Sequence, residues 1–328
     1  MTLDRRTLNL SLLLAAAGVG AGRHVLAQPA QTVVWSGFPP GGLGDQVTRP
    51  LLDRLKGRWP GTLILDSKAG AGGRIAADFV KRAAPDGATL LQVPSSPMSI
   101  YPHTYGKKLS YDPLADFVPV TPLAAYTISA TVGPGVPAEV RTLPDLVKWA
   151  KANPDKANYG VPAPGSVPHF IGMMFERSSG VPFKSIPYKG GAPLLQDLLG
   201  GQVPLAFNVT SEVLPHLKAG RLRSLAVASP QRWPALPDVP SFVELGFKDI
   251  AAVEFLGWYA PAKTSPDLVR RLNAAVQEAL ASPEMQEVFS RNGLQPLIEG
   301  PEAFAVRVKN EVAHWAPIVK ATGFTPED

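Results

Sequence analysis

The chain has 328 residues, 45% of them hydrophobic and 18% charged, with 30 glycines, 35 prolines and a formal net charge of +5. That length holds about two domains of roughly 150 residues, and apolar runs recurring along all of it exclude a disordered chain. The absence of cysteine excludes disulfides, thiolate catalysis, zinc–thiolate sites and lipidation on a cysteine, while the scattered basic residues form no run that grips nucleic acid.

Residues 1–27 read as a signal peptide. Asp4-Arg5-Arg6 precedes an apolar run from Leu8 to Gly20, and Val25-Leu26-Ala27 supplies a cleavage site of the small-x-small type. A retained membrane anchor is the competing reading, and it calls for a longer apolar run. Arg5-Arg6 followed by Thr7-Leu8 points to the twin-arginine route, although Asp4 and Asn9 are not its usual flanks. No later stretch reaches transmembrane length, so the expectation is an exported, periplasmic protein. Losing Asp4, Arg5, Arg6 and Arg23 with the signal lowers the positive excess, which favours an anionic ligand slightly.

Beyond residue 32, short β-rich runs alternate with helical patterns. Thr32–Phe38 is a predicted strand, and Gly41-Gly42 opens a helix towards Trp59. Thr62–Asp66 is a second strand, followed by a glycine cluster and a helix over Ile75–Ala83; Ala88–Val93 is a third. This alternation predicts a parallel sheet with helices on both faces. Phe117–Val132 is a long apolar stretch, one or two strands crossing between lobes.

A second α/β unit follows. Thr142 caps a helix with Pro144 and Asp145 in its first turn. Then come strand Asn158–Val161, helix Ser166–Arg177, strand Lys184–Tyr188, helix Pro193–Leu199, strand Val203–Asn208, helix Leu214–Ala219 and strand Arg223–Ala228. Ala251–Ala260 resembles Phe117–Val132 in character. Residues 266–281 and 301–319 each carry one apolar helical face, and Pro317 is expected to kink or end the latter. These final helices need a surface to cover, and the first sheet provides it. The predicted organisation is therefore a first lobe of residues 28–127 and 253–328, with an inserted second lobe of residues 128–252.

Two glycine clusters each follow a strand and open a helix: Phe38-Pro39-Pro40-Gly41-Gly42-Leu43-Gly44-Asp45 and Gly70-Ala71-Gly72-Gly73. The first helical amides lack intrahelical partners, the helix dipole adds positive potential, and glycine allows close approach. Either loop alone is an ordinary tight turn. Two in successive units meet at the C-terminal edge of one sheet, where α/β proteins bind ligands. Ile75 breaks the dinucleotide fingerprint that Gly70 and Gly72 begin, and neither loop continues into Gly-Lys-Ser/Thr, so nucleotide binding is disfavoured.

Catalytic patterns are thin. Ser166 and His169 resemble a nucleophile and base, yet G-x-S-x-G is absent, and Ser166 reads better as a helix N-cap with His169 in the first turn. The histidines lack metal-ligand spacing. Asp112 and Asp116 flank a proline turn. Lys189, before Gly190-Gly191, is either a partner for a ligand carboxylate or a solvated surface lysine. Neither a metal nor a cofactor is called for, and the chain is not expected to be an enzyme; a periplasmic serine hydrolase is the outlying alternative.

Several motifs recur in order across nearly the whole exported part: Phe38–Asp45, Ala69–Gly73, Tyr111–Phe117, Pro164–His169, Tyr188–Gly190 and Asp197–Val203. With them run L-R-S-L-A-V-A-S, L-P-D-V-P-S-F-x-E-x-G and A-P-A-K-T-S-P. In these the chain resembles the substrate-binding proteins of tripartite tricarboxylate transporters, the Bug family of periplasmic receptors. The resemblance implies an α/β, two-lobed periplasmic binding protein type II fold with a hinge and an interlobe cleft. It also implies a small organic acid as ligand, its carboxylate held on the first lobe by backbone groups and ordered water, and membrane permease subunits as partners of a monomer. A ligand-sensing partner of a membrane kinase is the alternative role.

Matching positions make Phe38, Gly41, Gly42 and Asp45 one binding loop, Ala71, Gly72 and Gly73 a second, and Ser95 and Ser96 a third contact. Ser166, His169, Lys189, Gly190 and Asn208 come from the other lobe. The chain departs from the pattern at Ser67, where Asn is usual, at Ala69, where Pro is usual, and at Asn208, where an acid is common. Asn208 weighs against a ligand with an ammonium group.

Overall fold

A computed structural model describes residues 30–326, and the signal segment expected at 1–27 lies outside them. The first sheet grows from β1 (Gln31–Ser36), β2 (Thr62–Ser67) and β3 (Thr89–Pro94). β1 lies between the other two, parallel to both, so Val34 faces Leu65 on one side and Leu90 on the other. Helices α1 (Leu43–Leu55) and α2 (Arg74–Lys81) make the crossovers. α1 buries Leu43, Val47, Leu51 and Leu55, spaced by three or four residues as a helix packing on a sheet requires. Two short helices, α3 (Ser96–Ser99) and α4 (Tyr101–Thr104), follow β3.

The predicted crossing stretch resolves into two strands, β4 (Phe117–Tyr126) and β5 (Ile128–Val132), which part at Thr127 and enter different sheets. In the second sheet β5 is followed by α5 (Leu143–Ala152), β6 (Asn158–Val161), α6 (Val167–Ser179), β7 (Lys184–Pro187), α7 (Gly191–Leu199), β8 (Leu205–Val209), α8 (Thr210–Lys218) and β9 (Arg223–Val227). Its order is β7-β6-β8-β5-β9, with β6 parallel to both β7 and β8. The chain then returns to the first sheet through β10 (Glu254–Pro261), antiparallel between β3 and β4. The first sheet thus takes strands from both ends of the chain and the second from its middle. The result is an α/β fold of two lobes.

α9 (Pro266–Leu280), α10 (Pro283–Asn292) and α11 (Pro301–Thr322) complete the chain. The sequence reading lacks α10 and the two-residue bridge β11 (Gln295–Pro296), which pairs with β4. It also errs in one of its outcomes for Pro317, because α11 continues through that residue to Thr322. A proline here removes the donor to the Ala313 carbonyl. Ala313 and Pro317 are both exposed, so water can answer that carbonyl, while Phe304, Val308, Trp315 and Val319 bury the opposite face.

Candidate functional site

The parallel order brings the loops after β1, β2 and β3 to one edge. The glycine loops there touch directly. The Lys68 amide donates to the Ser36 carbonyl (2.9 Å) and Ser67 Oγ to the Phe38 carbonyl (2.9 Å). A Cβ on Gly37 would stand 2.8 Å from the Gly73 Cα, so this approach requires a residue without a side chain. Gly72 and Gly73 both have positive φ, as has Ala71 between Gly70 and Gly72.

Facing this edge are the loops after β6 and β7 and the start of α8. Between the two sets lies a cavity of about 70 Å³, several times the roughly 10–15 Å³ that houses one water. Of the residues singled out from sequence, Phe38, Gly42, Ser96 and Ser166 line it. Gly41 and Asp45 shape the first loop instead: the Gly41 amide donates to Asp45 Oδ2 (2.6 Å), and Arg49 pairs with the same carboxylate. Gly73 packs behind Phe38, and Gly72 lies against the Tyr101 hydroxyl and Ala163. Ala71 is exposed. Ser95 is buried and donates to Glu254 (2.7 Å). Gly190 abuts Pro39 across the cleft, whereas Lys189 is exposed and outside the lining.

Asn208 is buried behind the lining residue Val209, its side-chain N and O without partners among the described residues. His169 is also outside the lining. Its Nδ1 accepts from the Gly165 amide (3.0 Å) and its ring packs edge-on against Phe324. Burial pushes its pKa down to about 4, leaving the ring neutral. Ser166 occupies the N-cap of α6, but its hydroxyl donates to the Ala163 carbonyl (2.7 Å). Serine and histidine therefore serve separate backbone groups, and the hydrogen bond of a nucleophile–base pair is not formed.

The cavity also contains groups that sequence reasoning missed. Glu254 on β10 is buried and accepts from Ser95 (2.7 Å), Ser96 (3.2 Å) and Tyr126 (3.5 Å). Burial pushes its pKa up to about 8, with the charge of Glu311 acting in the same direction and the hydroxyl donors opposing. Glu212, in the first turn of α8, reaches across the cleft. Its Oε1 accepts from the Leu43 amide (3.2 Å) at the start of α1, and its buried Oε2 has no partner among the described residues. Burial raises this carboxyl to about 7.

Two glycines make room for the Glu212 carboxyl. A Cβ at Gly42 would come within 2.9 Å of it, and one at Gly191 within 1.9 Å. Gln92 and Tyr101 supply the complementary donors. Trp258 Nε1, which can only donate, points at Gln92 Oε1 (3.0 Å), and Thr48 Oγ1 bonds to the same oxygen. The Gln92 amide nitrogen is thereby left buried and unpartnered beside Gly44, and the Tyr101 hydroxyl is likewise buried without a partner among the described residues. Glu254 had one sequence signal, a lone charge inside the apolar run 251–260. Glu212 had none, since an acid in a helix's first turn is commonplace.

Among the described residues no group of three or more candidate metal ligands occurs, and no helix is long and apolar enough to cross a membrane. Residues 47–324 match the family described as tripartite tricarboxylate transporter family receptor. Protein BugT of Bordetella pertussis is 32% identical over 326 residues, covering 98% of this chain and 99% of its own. Among solved structures, periplasmic binding protein BugD superposes with a TM-score of 0.84 at 31% identity, over 90% of this chain and 99% of BugD. R. palustris Rpa4515 with adipate superposes with a TM-score of 0.85 at 30% identity, over 90% and 98% of the two chains.

Proposed function

The chain belongs to the tripartite tricarboxylate transporter receptor family, and from that premise we propose that it captures a small organic carboxylate in the interlobe cavity and delivers it to the permease subunits of such a transporter. The observation that carries this reading is the cavity itself, enclosed by facing loops of two lobes and provided with unpartnered donors at Gln92 Nε2 and Tyr101 OH. Buried donors without partners are costly in an empty site and are answered when an anion enters. Rpa4515, a structural neighbour, has adipate bound.

In this reading the first lobe is residues 28–127 with 253–328 and the second is residues 128–252. Closure about the crossings near Thr127 and β10 traps the ligand, and Phe38, Gly42, Ser96 and Ser166 contact it. The exported chain acts as a monomer in the periplasm, reached after loss of residues 1–27 by the twin-arginine or the general route. A thermal-shift screen against mono-, di- and tricarboxylates tests the capture step. Stabilisation by several degrees at saturating ligand is expected, and an unchanged melting temperature with every acid would overturn it. Affinity capture of membrane proteins on the liganded receptor tests delivery; recovery of a sensor kinase in place of a permease would replace the transport role with sensing.

A further inference from the structure

The cavity brings two acids together and no base. Glu212 and Glu254 line it, and among the described residues the lining has no lysine, arginine or histidine. Two nearby cations are engaged elsewhere. Arg49 pairs with Asp45 on α1, and Arg74, at the start of α2, lies over the Tyr105 ring and donates to the Ala71 carbonyl (3.0 Å). Glu212 is faced by Gly42 and the Leu43 amide from α1, by Gly191 from α7 and by Tyr126 from β4. Glu254 is faced by Ser95 and Ser96 at the start of α3, Tyr101 of α4, Tyr126 of β4 and Tyr259 of its own strand. Glu311 of α11 adds a like charge, and Arg307 and His314 face Glu311 in turn. The donors to the two acids are thus amides and hydroxyls.

A carboxylate buried without a cation is costly, and the group answers by keeping its proton. Burial accordingly holds Glu212 up to about 7 and Glu254 up to about 8. We propose that the cavity is a proton-coupled site: it takes a carboxylate anion together with protons from solvent, which Glu212 and Glu254 keep as neutral carboxyls for as long as the anion stays. The inference rests on the carboxylate-capture reading above and adds the proton as a second ligand. The geometry gives that proton a use at Glu212. Its Oε1 accepts the Leu43 amide, so the acid proton falls to Oε2, which is buried and has no partner among the described residues. A neutral Glu212 therefore joins Gln92 Nε2 and Tyr101 OH as a third unpartnered donor of the lining, whereas an ionised one would repel the guest. An anion among these groups raises both carboxyls further. Above about pH 7 the liganded cavity then holds more protons than the unliganded one, and affinity falls as pH rises.

Titration calorimetry on the purified protein tests this with succinate, adipate and propanoate as probes, at pH 7 and pH 9, where such acids are themselves ionised. At pH 8 each titration is repeated in phosphate and in Tris, whose different heats of ionisation reveal the protons exchanged. Uptake of about one proton per ligand is expected at pH 8, with affinity at least about tenfold weaker at pH 9 than at pH 7. Glutamine fixes the neutral form, so Glu212→Gln and Glu254→Gln should each shrink both the uptake and the ratio of the two affinities, which a merely structural role would not do. Binding that is indifferent to pH and to buffer, or that releases protons, overturns the coupling and leaves carboxylate capture standing. Uptake that persists undiminished in both variants overturns the assignment to these two acids. Silence from all three probes at both pH values overturns carboxylate capture and the coupling with it. Should a variant fail to fold, which circular dichroism reports, the paired buffers on the unsubstituted protein still decide whether protons accompany the anion.

Discussion

Glu254 is a single residue whose protonation couples the site to stability. Its ordinary value of 4.5 is raised to about 8, chiefly by burial. Between those limits the folded chain keeps a proton that the unfolded chain has released, so this group's contribution is complete below about pH 4.5, declines as pH rises and levels off above 8. Glu254→Gln removes the titration. In thermal melts from pH 5 to pH 9, the variant should gain on the unsubstituted protein by at least about 4 °C across that range. Parallel curves would show that Glu254 is not held protonated. Little of this was legible in the sequence: a carboxyl becomes a buried site group through strands and helices more than a hundred residues away, as Ser95, Ser96 and Tyr126 surround Glu254. The glycine loops, by contrast, were legible because their chemistry is local to the strand–helix junction.

At the scale of elements, helix starts are capped across the cleft in both directions. Glu212 of α8 serves the Leu43 amide of α1, and Ser96, at the start of α3, accepts from the Val167 amide of α6 (3.1 Å). Ser166, the N-cap residue of α6, turns its hydroxyl back to Ala163, and the Val167 amide at the first helical position, which an N-cap side chain does not serve, is taken by the opposite lobe. Both reciprocal caps exist only when the lobes are together. Ser96→Ala would strand a buried amide in the closed form alone, a loss of about 1–3 kcal/mol, and so should favour opening. Hydrogen exchange at Val167 is expected to quicken about tenfold in the variant; an unchanged rate would mean that closure does not depend on this contact. Strands and helices could be read with boundaries within a few residues because their periodicity is local, as at Asn158–Val161. α10 escaped because its buried face amounts to Met285, Val288 and Phe289, and Ser282 caps it without a longer apolar pattern.

The whole molecule adds a link that neither lobe contains. α11 belongs to the helical cover of the first sheet, yet its end and the residues after it rest on α6 of the second lobe: Trp315 packs on Phe170, and Phe324 on both Phe170 and His169, with ring centroids 6.4, 5.3 and 5.5 Å apart. His169 in turn holds the Gly165 amide beside the lining residue Ser166. The chain terminus therefore supports the second lobe's side of the cavity without touching it. That support explains why His169 sits in a recognisable motif yet is absent from the cavity wall: its packing partner lies 155 positions downstream, beyond any local pattern. Phe324 is half-buried, so Phe324→Ala should cost roughly 2 kcal/mol, about half the loss for a fully buried phenylalanine. Because the Gly165–Ser166 backbone loses its prop, ligand affinity should fall several-fold as well. Calorimetry of the variant with whichever carboxylate the thermal screen identifies checks this. A lower melting temperature with undiminished affinity would confine the aromatic contact to stability and release the cavity from control by the terminus.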